Sequence, residues 1–256
     1  MKRLIGILLA LLICVHCIAC AQAADAPSKV VYLTFDDGPK KDTPELLALL
    51  EELDVPATFF LMGASVQAFP EHAKMIVDAG YPVGCHSMTH SYKRLKESTG
   101  YVERDFERFI ETMREYTDPQ FTTDLYRFPG GSLDYSKRTK EFVRDMGLAW
   151  FDWNAMNGDA HYTFKSDEEM YRYTLSTIGD EEDAVILLMH EGKVRTRRVL
   201  RDLVAYFREN GYEFRTISTS AQERAILESC SARMMLPENT AAQEENDAMN
   251  QEKGGA

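Results

Sequence analysis

Two adjacent carboxylates, Asp36 and Asp37, end an apolar run in the segment Thr-Phe-Asp-Asp-Gly-Pro at residues 34–39. Neighbouring carboxylates repel each other, and this repulsion favours a bound cation. Two histidines that could complete a cation site, His86 and His90, lie four residues apart, so one helical turn would bring both imidazoles to one face. One carboxylate and two imidazoles suit a borderline divalent metal. The pattern therefore indicates a metal site of Asp37, His86 and His90, with Asp36 free to act as a general base.

Further polar groups could complete a hydrolytic site around these residues. His190 could protonate a leaving nitrogen or oxygen, and Asp159 could orient it and stabilise its imidazolium. Arg127 could orient Asp36 and hold it in its charged form. Backbone N–H groups of the Pro-Gly-Gly segment at residues 129–131 could bind a developing oxyanion at close range. Together these groups predict a hydrolase of acyl groups.

The elements that must position these residues alternate between strands and helices, which implies parallel β-α-β units. The predicted strands cover residues 30–35, 57–61, 82–85, 125–128, 148–153, 184–189 and 212–217. About seven strands fit either a (β/α) barrel or an open doubly wound sheet. No glycine-rich nucleotide fingerprint follows the first strand, which disfavours dinucleotide binding. The candidate groups follow five different strands, and a parallel barrel would gather them at one mouth.

The order of these motifs resembles the polysaccharide deacetylase family, the NodB-homology domain of carbohydrate esterase family 4. The resemblance runs from about Val30 to Ile217. It rests on Thr34-Phe35-Asp36-Asp37-Gly38-Pro39, His86-Ser87-x-x-His90, Arg127-x-Pro129 and Leu188-x-His190.

The resemblance implies a fold and a role for each matched residue. The fold would be a distorted (β/α) barrel. Asp36 would be the base and His190 the acid, with Arg127 acting on Asp36 and Asp159 acting on His190. One divalent metal, most simply Zn²⁺, would be bound by Asp37, His86 and His90. Co²⁺, Mn²⁺ and Ni²⁺ are alternatives to zinc.

Two positions depart from the family pattern. Many members carry an aromatic residue after the Arg-x-Pro proline, where this chain has Gly130, and a tryptophan where Ala160 follows Asp159. Pro129 and Gly130 are predicted to contribute to the oxyanion and substrate site. Trp153, which lies earlier in the chain, is predicted to line the substrate groove. Both departures concern the walls of this groove, so they leave the substrate open.

The motifs predict a metal-dependent hydrolase that removes N-acetyl groups from an aminosugar polysaccharide such as peptidoglycan or a chitin-like chain. One alternative is a carbohydrate esterase that removes O-acetyl groups, as from xylan. An alternative of another class is a catalytically inactive, wall-binding barrel. The expected partner is the polysaccharide, and no protein partner is inferred. A net charge of −12 disfavours nucleic acid.

The N-terminus predicts export. A basic start, an apolar run and the small-x-small sequence Ala21-Gln22-Ala23 are typical of a signal peptide covering residues 1–23. The alternative is an uncleaved membrane anchor, since the uncharged run is just long enough to span a bilayer. Residues 24–29 form a linker, 30–219 the deacetylase domain and 220–256 a C-terminal extension, which we expect to be disordered from about residue 237. Cys85 and Cys230 are predicted to be unpaired thiols.

Overall fold

The computed structural model describes residues 29–179 and 182–234. Within these residues, eight strands form one sheet in which every strand pair is parallel. The strands are β1 (Lys29–Gly38), β2 (Thr58–Leu61), β3 (Val83–Cys85), β4 (Leu125–Tyr126), β5 (Ala149–Trp150), β6 (Ala155–Met156), β7 (Ala184–His190) and β8 (Tyr212–Arg215).

Helices cover the outside of this sheet. In the described ranges they are α1 (Thr43–Leu53), α2 (Gly63–Ala68), α3 (Pro70–Asp78), α4 (Tyr92–Glu97), α5 (Thr99–Tyr116), α6 (Lys137–Asp145), α7 (Asp167–Ser176), α8 (Val194–Glu209) and α9 (Ala221–Ser231). The long helices are amphipathic: α8, for example, buries Val199, Leu200, Leu203 and Phe207 on one face. Among the described residues, no helix has the length and apolar content needed to cross a membrane.

The strand order explains how the sheet curls. It runs β5-β4-β3-β2-β1-β7-β6, and β8 pairs with the first half of β1. The edge strands β5 and β6 are separated by only residues 151–154, and they pair with β4 and β7 respectively. One short segment therefore borders both edges of the sheet. The prediction of an α/β fold with a distorted (β/α) barrel is confirmed.

The central strands of the barrel, β1 and β7, are continuous apolar runs of the sequence. Residues Val30–Phe35 of β1 and Val185–Met189 of β7 are buried along their whole length. Strands covered on both faces carry continuous apolar runs rather than alternating ones. Asp36 of β1 and His190 of β7 are register partners at the carboxyl ends of these two strands. The core therefore places the predicted base beside the predicted acid.

The predicted fifth strand, residues 148–153, is wrong in its second half. Only Ala149–Trp150 form β5, and the chain then crosses to β7. Asn154 directs this crossing, because its side chain donates to Ala184 O (2.8 Å) and accepts from Ile186 N (2.7 Å). These bonds add to the backbone bond from Asn154 N to Ile186 O (3.3 Å). The predicted last strand, 212–217, likewise ends at Arg215.

The chain beyond residue 219 begins with a packed helix. In α9, Leu227 and Cys230 are fully buried, and Ser231 Oγ accepts a hydrogen bond from Asp152 N (3.0 Å). Cys85 and Cys230 are both free and buried. The predicted signal peptide, nearly all of the linker and the predicted disordered tail lie outside the described residues.

Candidate metal and acid-base site

The end of β1 presents both carboxylates to the same site. Successive side chains of a regular strand point to opposite faces, which would separate Asp36 from Asp37. Here the pairing with β2 shifts register between Asp36 and Gly38, and Asp37 has a left-handed backbone with φ 69°. Because of this bulge, Asp36 Oδ2 and Asp37 Oδ1 lie 3.7 and 3.6 Å from His86 Nε2.

The two histidines after β3 meet through a loop. The predicted helical turn is wrong: Ser87 and His90 have φ values of 67° and 55°, and His90 N donates to Ser87 Oγ at 2.8 Å. The two imidazole ring centroids are nevertheless 5.0 Å apart. Burial and the neighbouring His86 lower the pKa of His90. This shift favours the neutral imidazole, which is the form that binds a metal.

Three of these side chains fit a divalent metal. The ligand atoms of Asp37, His86 and His90 all lie within 4.8 Å of one another. Ligands bound about 2.1 Å from one zinc ion are roughly 3.4 Å apart, close to the spacing found here. His86 Nδ1 donates to Arg127 O (3.0 Å), which leaves Nε2 free as a ligand. Asp37 Oδ1 is buried without a hydrogen-bond partner, as expected of an atom that requires a cation.

Asp36 is fixed by a fully buried arginine. Arg127 Nη1 donates to Asp36 Oδ1 (2.9 Å) and to Thr34 Oγ1 (2.8 Å), and Nε donates to Phe151 O (3.1 Å). The guanidinium carbon also lies 4.1 Å from the ring centroid of Phe60. Both members of the pair are buried, so water cannot screen their interaction. Asp36 is therefore held in one orientation beside the predicted metal site.

His190 and Asp159 form a second charged pair. His190 Nδ1 lies 2.6 Å from Asp159 Oδ1, and His190 N donates to Asp159 Oδ2 (3.0 Å). Thr196 and Asn157 also donate to Asp159 Oδ2, at 2.7 and 3.2 Å. Burial acts to lower the pKa of His190, but the hydrogen bond and charge of Asp159, with smaller effects of Asp36 and Asp37, raise it above its ordinary value. The arrangement suits a general acid.

The loop after β4 has less donor capacity than the sequence suggested. Pro129 has no N–H, and Gly131 N already donates to Phe128 O (2.8 Å). Gly130, which is exposed and has a φ of 70°, is therefore the member of this trio whose N–H can face an oxyanion. Trp153 is only 5% exposed, and its ring packs near Arg127 and Gly131. It packs near Arg127 within the core, and its place on the groove wall stays a prediction.

Glu191 lies in the turn after β7 and is buried beside the end of β1 that carries Asp36 and Asp37. Its N–H donates to Asp36 O (3.1 Å), and its carboxylate accepts a hydrogen bond from Thr43. A Cβ atom on Gly38 would overlap this carboxylate, so a larger residue there would displace the Glu191 side chain. Burial raises the pKa of Glu191 to about 7, although Thr43 and Lys40 act to lower it. No local sequence signal distinguishes this glutamate from a surface one.

Loss of one metal ligand should abolish tight metal binding. We expect His90→Ala to weaken Zn²⁺ binding by more than the roughly 10–100-fold typical of losing an outer partner, because a direct ligand is removed. His72→Ala is the matched control, since His72 Nδ1 bonds to Lys40 O instead. Calorimetric titration of metal-free protein measures both. Equal affinities of the two variants would contradict the site.

Replacement of Glu191 should change how stability depends on pH. A folded-state pKa of about 7, above the ordinary 4.5, means that stability due to Glu191 is complete below pH 4.5 and is lost as the pH rises to 7. Relative to Glu191→Gln, the wild type should lose stability on the order of 3 kcal/mol between pH 4.5 and 8. Urea unfolding of metal-free protein at several pH values measures this, with exposed Glu71→Gln as control. Parallel curves for wild type and Glu191→Gln would refute the expectation.

Known proteins match this chain in sequence. The family model described as polysaccharide deacetylase matches residues 23–151; Asp159 and His190 lie beyond that match. The chain is 33% identical over 192 residues to a peptidoglycan-N-acetylglucosamine deacetylase of Bacillus cereus, covering 73% of this chain and 68% of the relative. A Listeria monocytogenes enzyme of the same name is 31% identical over 193 residues, covering 74% of this chain and only 38% of the relative.

Solved structures agree with the fold. A carbohydrate esterase family 4 enzyme of Streptococcus mutans superposes with a TM-score of 0.69 at 27% identity, covering 75% of this chain and 87% of that one. Other matched structures include pseudoenzymes of the same family. The family is generally metal-dependent, in agreement with the ligand set found here. The chain belongs to the polysaccharide deacetylase family.

Proposed function

We propose that this protein is an exported, metal-dependent hydrolase that removes N-acetyl groups from an aminosugar polymer such as peptidoglycan or a chitin-like chain. The observation that carries the proposal is the meeting of a fixed carboxylate, a metal-ligand triad and a charged His–Asp pair at one mouth of the barrel. The related peptidoglycan deacetylases support the substrate class. The basic and apolar N-terminus supports export.

A divalent ion, most simply Zn²⁺, would lower the pKa of a water molecule and polarise the acetyl carbonyl. The residues that would hold it are Asp37, His86 and His90. Asp36 accepts the proton of the attacking water, because its Oδ2 faces this triad while Arg127 holds its Oδ1. The N–H of Gly130 stabilises the charge that develops on the carbonyl oxygen.

His190 acts on the other side of the reacting carbon. The amine of an N-acetyl sugar is a poor leaving group unless it is protonated as the carbon–nitrogen bond breaks. Asp159 favours the imidazolium form of His190 and orients its ring through Nδ1, which leaves Nε2 to deliver the proton. Acetate and a free amine are the products.

The intact set of residues favours an active enzyme over an inactive barrel. Family pseudoenzymes make the inactive alternative a real one. Loss of the base or of a metal ligand would have favoured it, but Asp36, Asp37, His86, His90 and His190 are all present. O-acetyl removal uses the same groups, so only the substrate distinguishes that alternative.

Asp36→Asn should lower turnover about 10²–10⁴-fold, because the amide cannot accept the proton of the attacking water. The measurement is acetate release by zinc-loaded protein from an N-acetylglucosamine tetramer and from an O-acetylated xylan oligosaccharide. Exposed Asp78→Asn, whose carboxylate contacts only Lys74 on its own helix α3, is the control. Acetate release from the N-acetylated tetramer alone supports the proposal. Acetate release from the xylan oligosaccharide alone supports the alternative of an O-acetyl esterase. Wild-type turnover by Asp36→Asn would refute the mechanism.

Asp159→Asn should move the pH range of activity. Asp159 raises the pKa of His190, so removing its charge lowers that pKa and the acid form disappears at a lower pH. The alkaline limb of kcat should therefore shift to lower pH. Thr196→Val removes one hydrogen bond to Asp159 but keeps its charge, so it should shift the limb less. An unchanged alkaline limb in Asp159→Asn would exclude His190 as the acid that this limb reports.

A further inference from the structure

Exposed apolar side chains are concentrated around the mouth of the barrel. In the described part of the chain, the large hydrophobic residues with substantial exposure are Met75, Tyr92, Leu133 and Val194. Tyr92 begins the helix α4 after β3, Leu133 lies in the loop after β4 and Val194 begins the helix α8 after β7, so all three lie in connections that follow the carboxyl ends of strands. Apolar surface that clusters at a polar site is informative, whereas scattered exposed residues are not.

Tyr92 is the member of this group closest to the chemistry. Its ring packs against that of His90, with centroids 4.7 Å apart and planes at 89°. A Cβ atom on Gly130 would lie 2.7 Å from Tyr92 Cε1, so the ring rests directly on the backbone of the predicted oxyanion donor. The same ring therefore contacts a metal ligand and the oxyanion loop, while 44% of the residue stays exposed.

The ring of Tyr92 is held in place from outside the site. Lys96 Nζ lies 5.7 Å from its centroid and 5.5 Å from that of Tyr135. Lys96 Nζ also pairs with Asp134 Oδ2 at 3.0 Å. Tyr135 in turn donates to Pro129 O (3.2 Å) and is 3% exposed. These contacts preorganise an exposed aromatic surface, which reduces the entropy cost of binding a ligand there.

We propose that Tyr92 is the platform of a sugar subsite, where its ring stacks on the apolar C–H face of a pyranose unit neighbouring the one that loses its acetyl group. A pyranose presents polar hydroxyls at its edge and C–H groups on its faces, and the electron-rich face of an aromatic ring attracts such C–H groups. Leu133, 56% exposed on the loop that carries Gly130, extends the apolar surface along the glycan. The subsite rests on the proposed glycan deacetylase function.

The test uses chain length, because a platform for a neighbouring sugar matters more for long substrates. Zinc-loaded wild type, Tyr92→Ala, Tyr92→Phe and Leu133→Ala are assayed for acetate release from the N-acetylglucosamine dimer and tetramer. We expect Tyr92→Ala to lower kcat/KM about tenfold more for the tetramer than for the dimer, mainly through KM. Tyr92→Phe keeps the ring and should stay within about twofold of wild type.

Met75→Ala is the control, since Met75 is 40% exposed on α3, in a groove with Asp54 and Pro56, which precede β2. If Tyr92→Ala lowered kcat/KM equally for the dimer and the tetramer, the proposal would be overturned. The loss of packing against His90 and Gly130 would then explain the effect. A Tyr92→Phe variant as weak as Tyr92→Ala would overturn it too, since the hydroxyl and not the ring would then matter.

A binding measurement separates this inference from the proposed activity. Tetramer affinity is measured by calorimetry in the Asp36→Asn background, with and without Tyr92→Ala. About tenfold weaker binding on loss of the ring supports the subsite even if the wild type releases no acetate, an outcome that would refute only the proposed reaction. Equal affinities, or no tetramer binding at all, would overturn the subsite.

Discussion

The buried ion pair between Arg127 and Asp36 is the interaction on which the rest of the site depends. Arg127 binds the β1 side chains Asp36 and Thr34 and the carbonyl of Phe151, so a residue just past β4 ties the central strand to the segment that borders both sheet edges. Its own carbonyl accepts from His86 Nδ1. Removing one member of such a pair costs about 3–5 kcal/mol because the other is left as an unpaired buried charge. Displacement of Arg127 would therefore disturb the proposed base Asp36 and the proposed metal ligand His86 together.

Much of this arrangement could be predicted from the sequence because it follows from topology. Parallel strands deliver their carboxyl ends to one edge, so Asp36, His86, Arg127 and His190 had to lie near one another once the strands were identified. The strands themselves were recognisable from continuous apolar runs in β1 and β7. Topology and apolar runs therefore predict which residues lie near one another at the site, and the types of these residues define its chemistry.

The remaining details depend on backbone conformations and distant contacts that no local pattern encodes. Left-handed residues at Asp37 and His90 create the ligand geometry, although a helical turn fits the same spacing of histidines. The N–H of Gly131 donates to Phe128 O within its own turn. Burial of Trp153 and Glu191 is decided by elements far away in sequence, since each packs against residues of other loops. The sequence therefore predicts where the chemistry lies but not how these groups are oriented.

His86 and His190 are oriented in the same way, although their proposed roles differ. His86 and His190 each use Nδ1 to donate to a fixed oxygen, so each directs Nε2 toward the mouth of the barrel. For His86 the acceptor is the neutral carbonyl of Arg127, which orients the ring. For His190 the acceptor is the carboxylate of Asp159, which raises the pKa and favours the imidazolium. The proposed proton donor thus has a carboxylate behind its ring, whereas the proposed metal ligand has a neutral carbonyl.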